Sequence, residues 1–154
     1  MNRIAMFFMA VSLLLSQSCA KENGSNEEPL VANEYEYSGT MTVTAGGSDN
    51  VSEDVAVDCL FDKGTHTMKI LFHKVKFVPQ MPISLDVTVP DVGYSEKGGA
   101  VTFSGDGIVP LSGGTVPFPK YTVTALSGIL TANSLSLRLN FGDYPVTYTG
   151  VSKK

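Results

Sequence analysis

The amino-acid sequence predicts an all-β domain, an eight-stranded antiparallel up-and-down barrel, on three observations. From Tyr35 onward apolar residues recur at every second position, the period of a strand with one buried and one wetted face. The segments that do so are joined by short runs of Gly, Asn, Asp, Ser and Pro, whereas a parallel crossover needs a dozen or more residues. Of the 154 residues, 43% are hydrophobic and only 17% charged, too apolar a mixture for a disordered chain, and long Ala/Leu/Glu/Lys runs of helical type are missing.

The first 18 residues precede the β pattern and have a character of their own. Arg3 opens them, Ile4 to Leu15 form a short apolar run, and Ser16-Gln17-Ser18 lead to Cys19. A basic start, an apolar middle and a small-residue ending make a secretory signal. The run falls short of the roughly 20 residues of a membrane-spanning helix. An ordinary signal peptide with an incidental Cys19 is the competing reading. The box before Cys19 resembles the cleavage site of bacterial lipoproteins, with Ser16 where Leu is usual and a bulky Gln17. That relaxed form resembles lipoproteins of the Bacteroides group, and Lys21-Glu22 resembles their short charged surface-export signal. The resemblance implies that Cys19 is acylated and becomes the first mature residue. The expected partner is then the lipid membrane, and the address the cell envelope: the outer membrane, on its periplasmic or its surface-exposed face. Buried acyl methylenes contribute about 0.8 kcal/mol each, so the two or three chains of a lipoprotein cysteine anchor where one chain would hold weakly.

Residues 19–34 are polar and turn-rich without an apolar period; such a segment buries too little surface to offset its ordering entropy and is expected to be a flexible tether. Residues 35–151 are the domain. Its inward positions read Tyr37, Gly39, Met41 and Val43; Val55, Val57, Cys59 and Phe61; Met68, Ile70 and Phe72; Ile83, Leu85, Val87 and Val89; Val101 and Phe103; Tyr121, Val123 and Ala125; Leu135, Leu137, Leu139 and Phe141; Val146 and Tyr148. That is eight strands in a meander, with Ser84, Asp86, Thr88, Leu60, Leu71 and Leu126 outward. Such strands bury their apolar faces by closing into a barrel or by folding into a sandwich, and closure also removes exposed edges. Tyr37-Ser38-Gly39 and Tyr148-Thr149-Gly150 are expected to meet at the seam. After Phe72 the phase changes to Val75 and Phe77, which predicts a bulge near His73-Lys74 or a strand that switches partners. Between Gly105 and Lys120, Pro110, Pro117 and Pro119 interrupt the pattern; proline belongs at an edge, so this hairpin is expected either to project past the rim as a flap or to be a ragged hairpin with no role.

The opening Tyr37 to Val43, Thr67-Met68-Lys69-Ile70, Leu135 to Leu139 and Tyr148-Thr149-Gly150 together resemble calycin-like lipoproteins of the Bacteroides group. The resemblance covers about Tyr35 to Gly150 and implies a lipocalin-like barrel. Two departures matter. True lipocalins carry Gly-x-Trp in the first strand, and this chain has no Trp. Fatty-acid-binding proteins hold a carboxylate on buried Arg and Tyr, but Arg138 has the outward parity of Ser136 and Asn140.

No catalytic constellation stands out. His66 and His73 lack a carboxylate or Cys at ligand spacing, so no metal is expected. Asp54, Asp58 and Asp86 face outward as solvated charges rather than as a glycosidase pair in a cleft. Cys59, on an apolar face, reads as buried and inert. A net charge of −4 without a Lys/Arg cluster gives no footprint for nucleic acid. No enzyme and no cofactor are expected. The candidate ligand-binding set is the interior: Tyr37, Met41, Phe61, Met68, Phe72, Phe103, Tyr121, Phe141 and Tyr148. Barrels of this size are either filled by side chains or hold one small ligand, so two readings stand. In the first, the barrel is a non-enzymatic binder of an apolar small molecule or lipid; in the second, it is a solid barrel contacting protein or polymer at the cell surface.

Overall fold

Three Gly-Gly pairs, Gly46-Gly47, Gly98-Gly99 and Gly113-Gly114, all have positive φ, the backbone that tight hairpins between right-twisted strands require, two residues long at the first two and three at the last. They join β1 (Glu34–Ala45) to β2 (Ser48–Asp62), β4 (Leu85–Lys97) to β5 (Ala100–Gly105), and β6 (Leu111–Ser112) to β7 (Val116–Pro117). The remaining strands are β3 (Thr67–Val75), β8 (Val123–Leu130), β9 (Ser134–Phe141) and β10 (Tyr144–Ser152). The structure, a computed structural model, describes residues 30 and 32–153. The leader, Cys19 and most of the tether lie outside them.

Eight strands form a closed antiparallel barrel in the order β3-β2-β1-β10-β9-β8-β5-β4, with β4 pairing back to β3. The seam is where the sequence places it: Gly39 pairs with Gly150 and Met41 with Tyr148. Any side chain at Gly39 would collide with the Thr149 carbonyl oxygen, so glycine there is what lets β1 and β10 approach. The barrel has an N-terminal rim, where β1 begins and the β2–β3, β4–β5 and β8–β9 turns lie. The opposite rim carries the other connections.

The expected bulge after Phe72 is present: the register against β4 shifts between Phe72 and Val75, and Lys74 has φ 54°. It turns Val75 and then Phe77 into the core. The predicted flap is instead strapped to the barrel. Ser112 and Leu111 pair with Val87 and Thr88, so the β6–β7 hairpin continues the sheet beyond the end of β5 and buries Pro110.

Four expectations of facing are corrected. Ala125 is exposed and Leu126 is buried, because a bulge between Thr124 and Ser127 puts Ala125 at φ 52° and reverses parity for one step. Ile83 is 63% exposed, since it precedes β4 and its ladder. Thr88, expected outward, is buried between its partners Leu71 on β3 and Leu111 on β6. Tyr121 sits in a 3-10 turn, Pro119–Tyr121, rather than in a strand, and is half-buried. Before β1, Leu30 is buried, Phe61 N–H donates to the Asn33 carbonyl at 2.8 Å, and Glu34 opens the strand.

Candidate functional site

The interior candidates converge as the alternation requires. Tyr37, Met41, Met68, Phe72, Phe103, Phe141 and Tyr148 are buried, while Phe61 and Tyr121 are half-buried at opposite rims. What they do there is touch one another. β3 and β9 stand four strands apart in a ring of eight, directly across the lumen, yet the Phe72 and Phe141 rings meet edge to face with centroids 5.5 Å apart. Phe72 also reaches Tyr148 of β10 at 6.4 Å. Such distances are those of contacting aromatic pairs, so at this level side chains fill the barrel.

Each end is closed by further rings. At the opposite rim Phe77 stacks on Tyr121 at 4.5 Å and leans on Phe141 at 5.0 Å, and Phe118 packs against Tyr121 at 4.6 Å. Phe77 is held there by its own loop, where its N–H donates to the Met81 sulfur at 3.1 Å. At the N-terminal rim Phe61 lies between Tyr35 and Tyr94, 6.1 and 4.9 Å away.

The hydroxyls that enter the core are spent on the backbone. Tyr148 O–H donates to the Val55 carbonyl at 2.9 Å, and Tyr37 O–H donates to the Thr131 carbonyl. Burial, with smaller contributions from nearby Cys59, pushes both phenols well above their usual range. Neither hydroxyl is left to orient the head group of a guest. Cys59 is fully buried and burial pushes its thiol up as well, which leaves it protonated and unreactive.

The described cavities open on the outside. On the outer face of β2, β3 and β4, His73 Nε2 lies 2.7 Å from Asp58 Oδ2, and His73 Nδ1 lies 4.0 Å from Asp86 Oδ1. Asp86 Oδ1 also accepts the Lys74 N–H at 2.8 Å. A groove of about 540 Å³ runs past this cluster, with Glu36, Ser52 and Lys153 among its lining. Both ring nitrogens face carboxylates on opposite sides of the imidazole, so neither addresses a substrate and the three groups do not converge on one point. No metal-holding group of three such residues occurs among the described residues. Sequence reasoning placed all three outward as separate groups and missed their pairing, which depends on the register of β3 against β2 and β4.

A second outer face spans β1, β10, β9 and β8. Register aligns Thr42, Thr147, Arg138 and Ser127 in one row across the four strands. Arg138 Nε donates to Ser127 Oγ at 3.2 Å, and Asn140 Nδ2 donates to Thr124 Oγ1 at 3.2 Å. Two open grooves of about 310 and 380 Å³ flank this row and share Ser127, Arg138 and Thr147. Set beside protein-family models, curated proteins and solved structures, the chain matches none of them.

Proposed function

We propose that this chain is a lipid-anchored, non-enzymatic barrel of the bacterial cell envelope that works through its outer face, as a contact module for a protein or a polymer, and not as a carrier of an apolar guest. The observation that favours the outer face over the lumen is the Phe72–Phe141 contact across the barrel. A lipid or other hydrophobe would need that space, and separating the rings would forfeit both the area they bury and their edge-to-face attraction. The anchor rests on the leader and its Ser16-Gln17-Ser18-Cys19 ending, and the kinship with calycin-like lipoproteins on the strand motifs. Acylated Cys19 would hold the domain at the outer membrane, on its periplasmic or its surface-exposed face.

Native mass spectrometry of the full chain, purified from its own host, tests the reading. The expected mass is that of the polypeptide cleaved before Cys19 plus its acyl groups, with no co-purified hydrophobe. A stoichiometric lipid or small apolar molecule released on unfolding would overturn it. Growth with a clickable fatty acid tests the anchor: wild type takes the label and Cys19→Ala does not, whereas equal labelling would exclude Cys19 as the acylation site.

A further inference from the structure

The outer-face reading leaves open which face is used and for what, and on that reading the Arg138 row is the surface the observations carry furthest. We infer that Arg138 and the hydroxyl groups beside it form a binding site for a saccharide bearing a carboxylate, of the uronic-acid type. Arg138 is the sole arginine among the described residues. Its Nε–H is tied to Ser127 Oγ, which orients the guanidinium while leaving the terminal nitrogens, the fork that grips a carboxylate through two parallel bonds, directed to solvent. Both ion pairs among the described residues belong to His73, so no carboxylate among the described residues occupies that fork.

The acidic groups near these strands are engaged or sit at the ends. Asp49 accepts from Thr44 Oγ1 at 2.6 Å, Asp106 accepts the Ala125 N–H at 2.9 Å, Asp143 is in the β9–β10 turn, and Glu36 lies toward the N-terminal rim. Among the residues that line the two grooves Arg138 is the one that carries a charge. One guanidinium without a lysine beside it matches a single negative charge, the charge of a carboxylate, better than a phosphate dianion or a densely charged polymer.

The rest of the lining selects among carboxylates. Thr42, Thr147, Ser127 and Asn140 supply donors and acceptors at the spacing of adjacent strands, about 4.8 Å, and such groups complement the hydroxyls of a sugar. A protein hot spot would instead want buried aromatic anchors, and neither groove offers an exposed one. Ile129, 47% exposed in the neighbouring groove, gives an apolar patch for the C–H face of a pyranose. The two grooves continue on either side of Arg138, so adjoining sugars of an oligomer can lie in both.

The test is a titration of the ¹⁵N-labelled full chain with tri-galacturonic acid, followed by amide shifts. Saturable shifts are expected in and beside Thr42, Ser127, Arg138, Asn140 and Thr147, weakening as salt rises, with neutral galactotriose binding more weakly. Arg138→Ala should lose the preference for the acidic sugar, and Arg138→Lys, which keeps the charge without the fork, should recover part of it. Thr147→Val should weaken both sugars while leaving the fold intact. Shifts that are absent, that lie on another face, or that persist unchanged in Arg138→Ala would overturn the site, and equal binding of a sulfated triose would overturn its assignment to a carboxylate. Failure of this kind with the lumen still free of guest would leave the outer-face reading standing, whereas a lipid in the lumen would remove the reading on which the site rests.

Discussion

Two tyrosines show how a single side chain serves both packing and backbone satisfaction in this barrel. Tyr148 and Tyr37 each bury an aromatic ring and place a hydroxyl on a carbonyl far away in sequence, at Val55 and Thr131. Replacing Tyr148 with Phe strands the Val55 carbonyl away from water and should cost about 1–3 kcal/mol in a denaturant melt; no measurable loss would mean that water reaches that carbonyl. The same two phenols predict an alkaline limit. Burial raises both in the folded state, while in the unfolded chain they titrate near pH 10. Their contribution to stability is complete below about pH 10 and is lost above it, because the unfolded chain then releases protons that the folded chain retains. Tyrosinate absorbance from Tyr37 and Tyr148 should therefore appear only together with loss of the β-sheet circular dichroism signal. Ionisation of all six tyrosines with the sheet intact would contradict the burial. A third contrast checks the parity of β9. Phe141→Ala should cost about 3–5 kcal/mol as a large buried ring is removed, and Arg138→Ala about 0.5 kcal/mol or less.

At the scale of strands and turns, the bulges decide which residues face where, and they divide what the sequence reveals from what it hides. The shift after Phe72 is legible because Val75 and Phe77 are apolar at the new parity, so the change of phase is written in the residues themselves. The shift at Ala125 is silent: Tyr121, Val123 and Ala125 keep an unbroken alternation, alanine tolerates either face, and Leu126 looks like one more exposed leucine. The structure reverses that pair by placing Ala125 in a left-handed conformation that costs an L-residue roughly 1–2 kcal/mol. Ala125→Gly should thus leave stability unchanged or raise it by up to about 1 kcal/mol, while Leu126→Ala should lower it by about 2–5 kcal/mol. The opposite order in thermal or denaturant melts would restore the simple alternation. The His73 cluster was hidden for a related reason. Parity shows that Asp58, His73 and Asp86 share the outer side, but their alignment across three strands depends on the strand register, which parity does not fix. The Gly39–Gly150 seam could be read in advance, since two strands with the same Tyr and Gly signature both needed a partner to close the sheet.

For the molecule as a whole, eight strands set a barrel radius at which the interior is either just filled or just hollow, and composition alone does not choose between them. Methionines and aromatic rings suit an adaptable cavity as well as a packed core. A filled interior is favoured by the Phe72–Phe141 pair, whose partners lie on opposite walls, a relation that appears only once the strand order is closed. Phe72 against Phe141 and Phe77 against Phe141 occupy the lumen at their level, which is what favours the proposed outer-face function. Met41 on β1 and Met68 on β3 are fully buried in that interior, and their methyl groups report directly on whether anything enters it. With ¹³C-methyl-labelled methionine in the full chain, a titration with lipid extract from the host should leave the Met41 and Met68 signals where they stand. Saturable movement of either signal would show a guest between the strands and contradict the account.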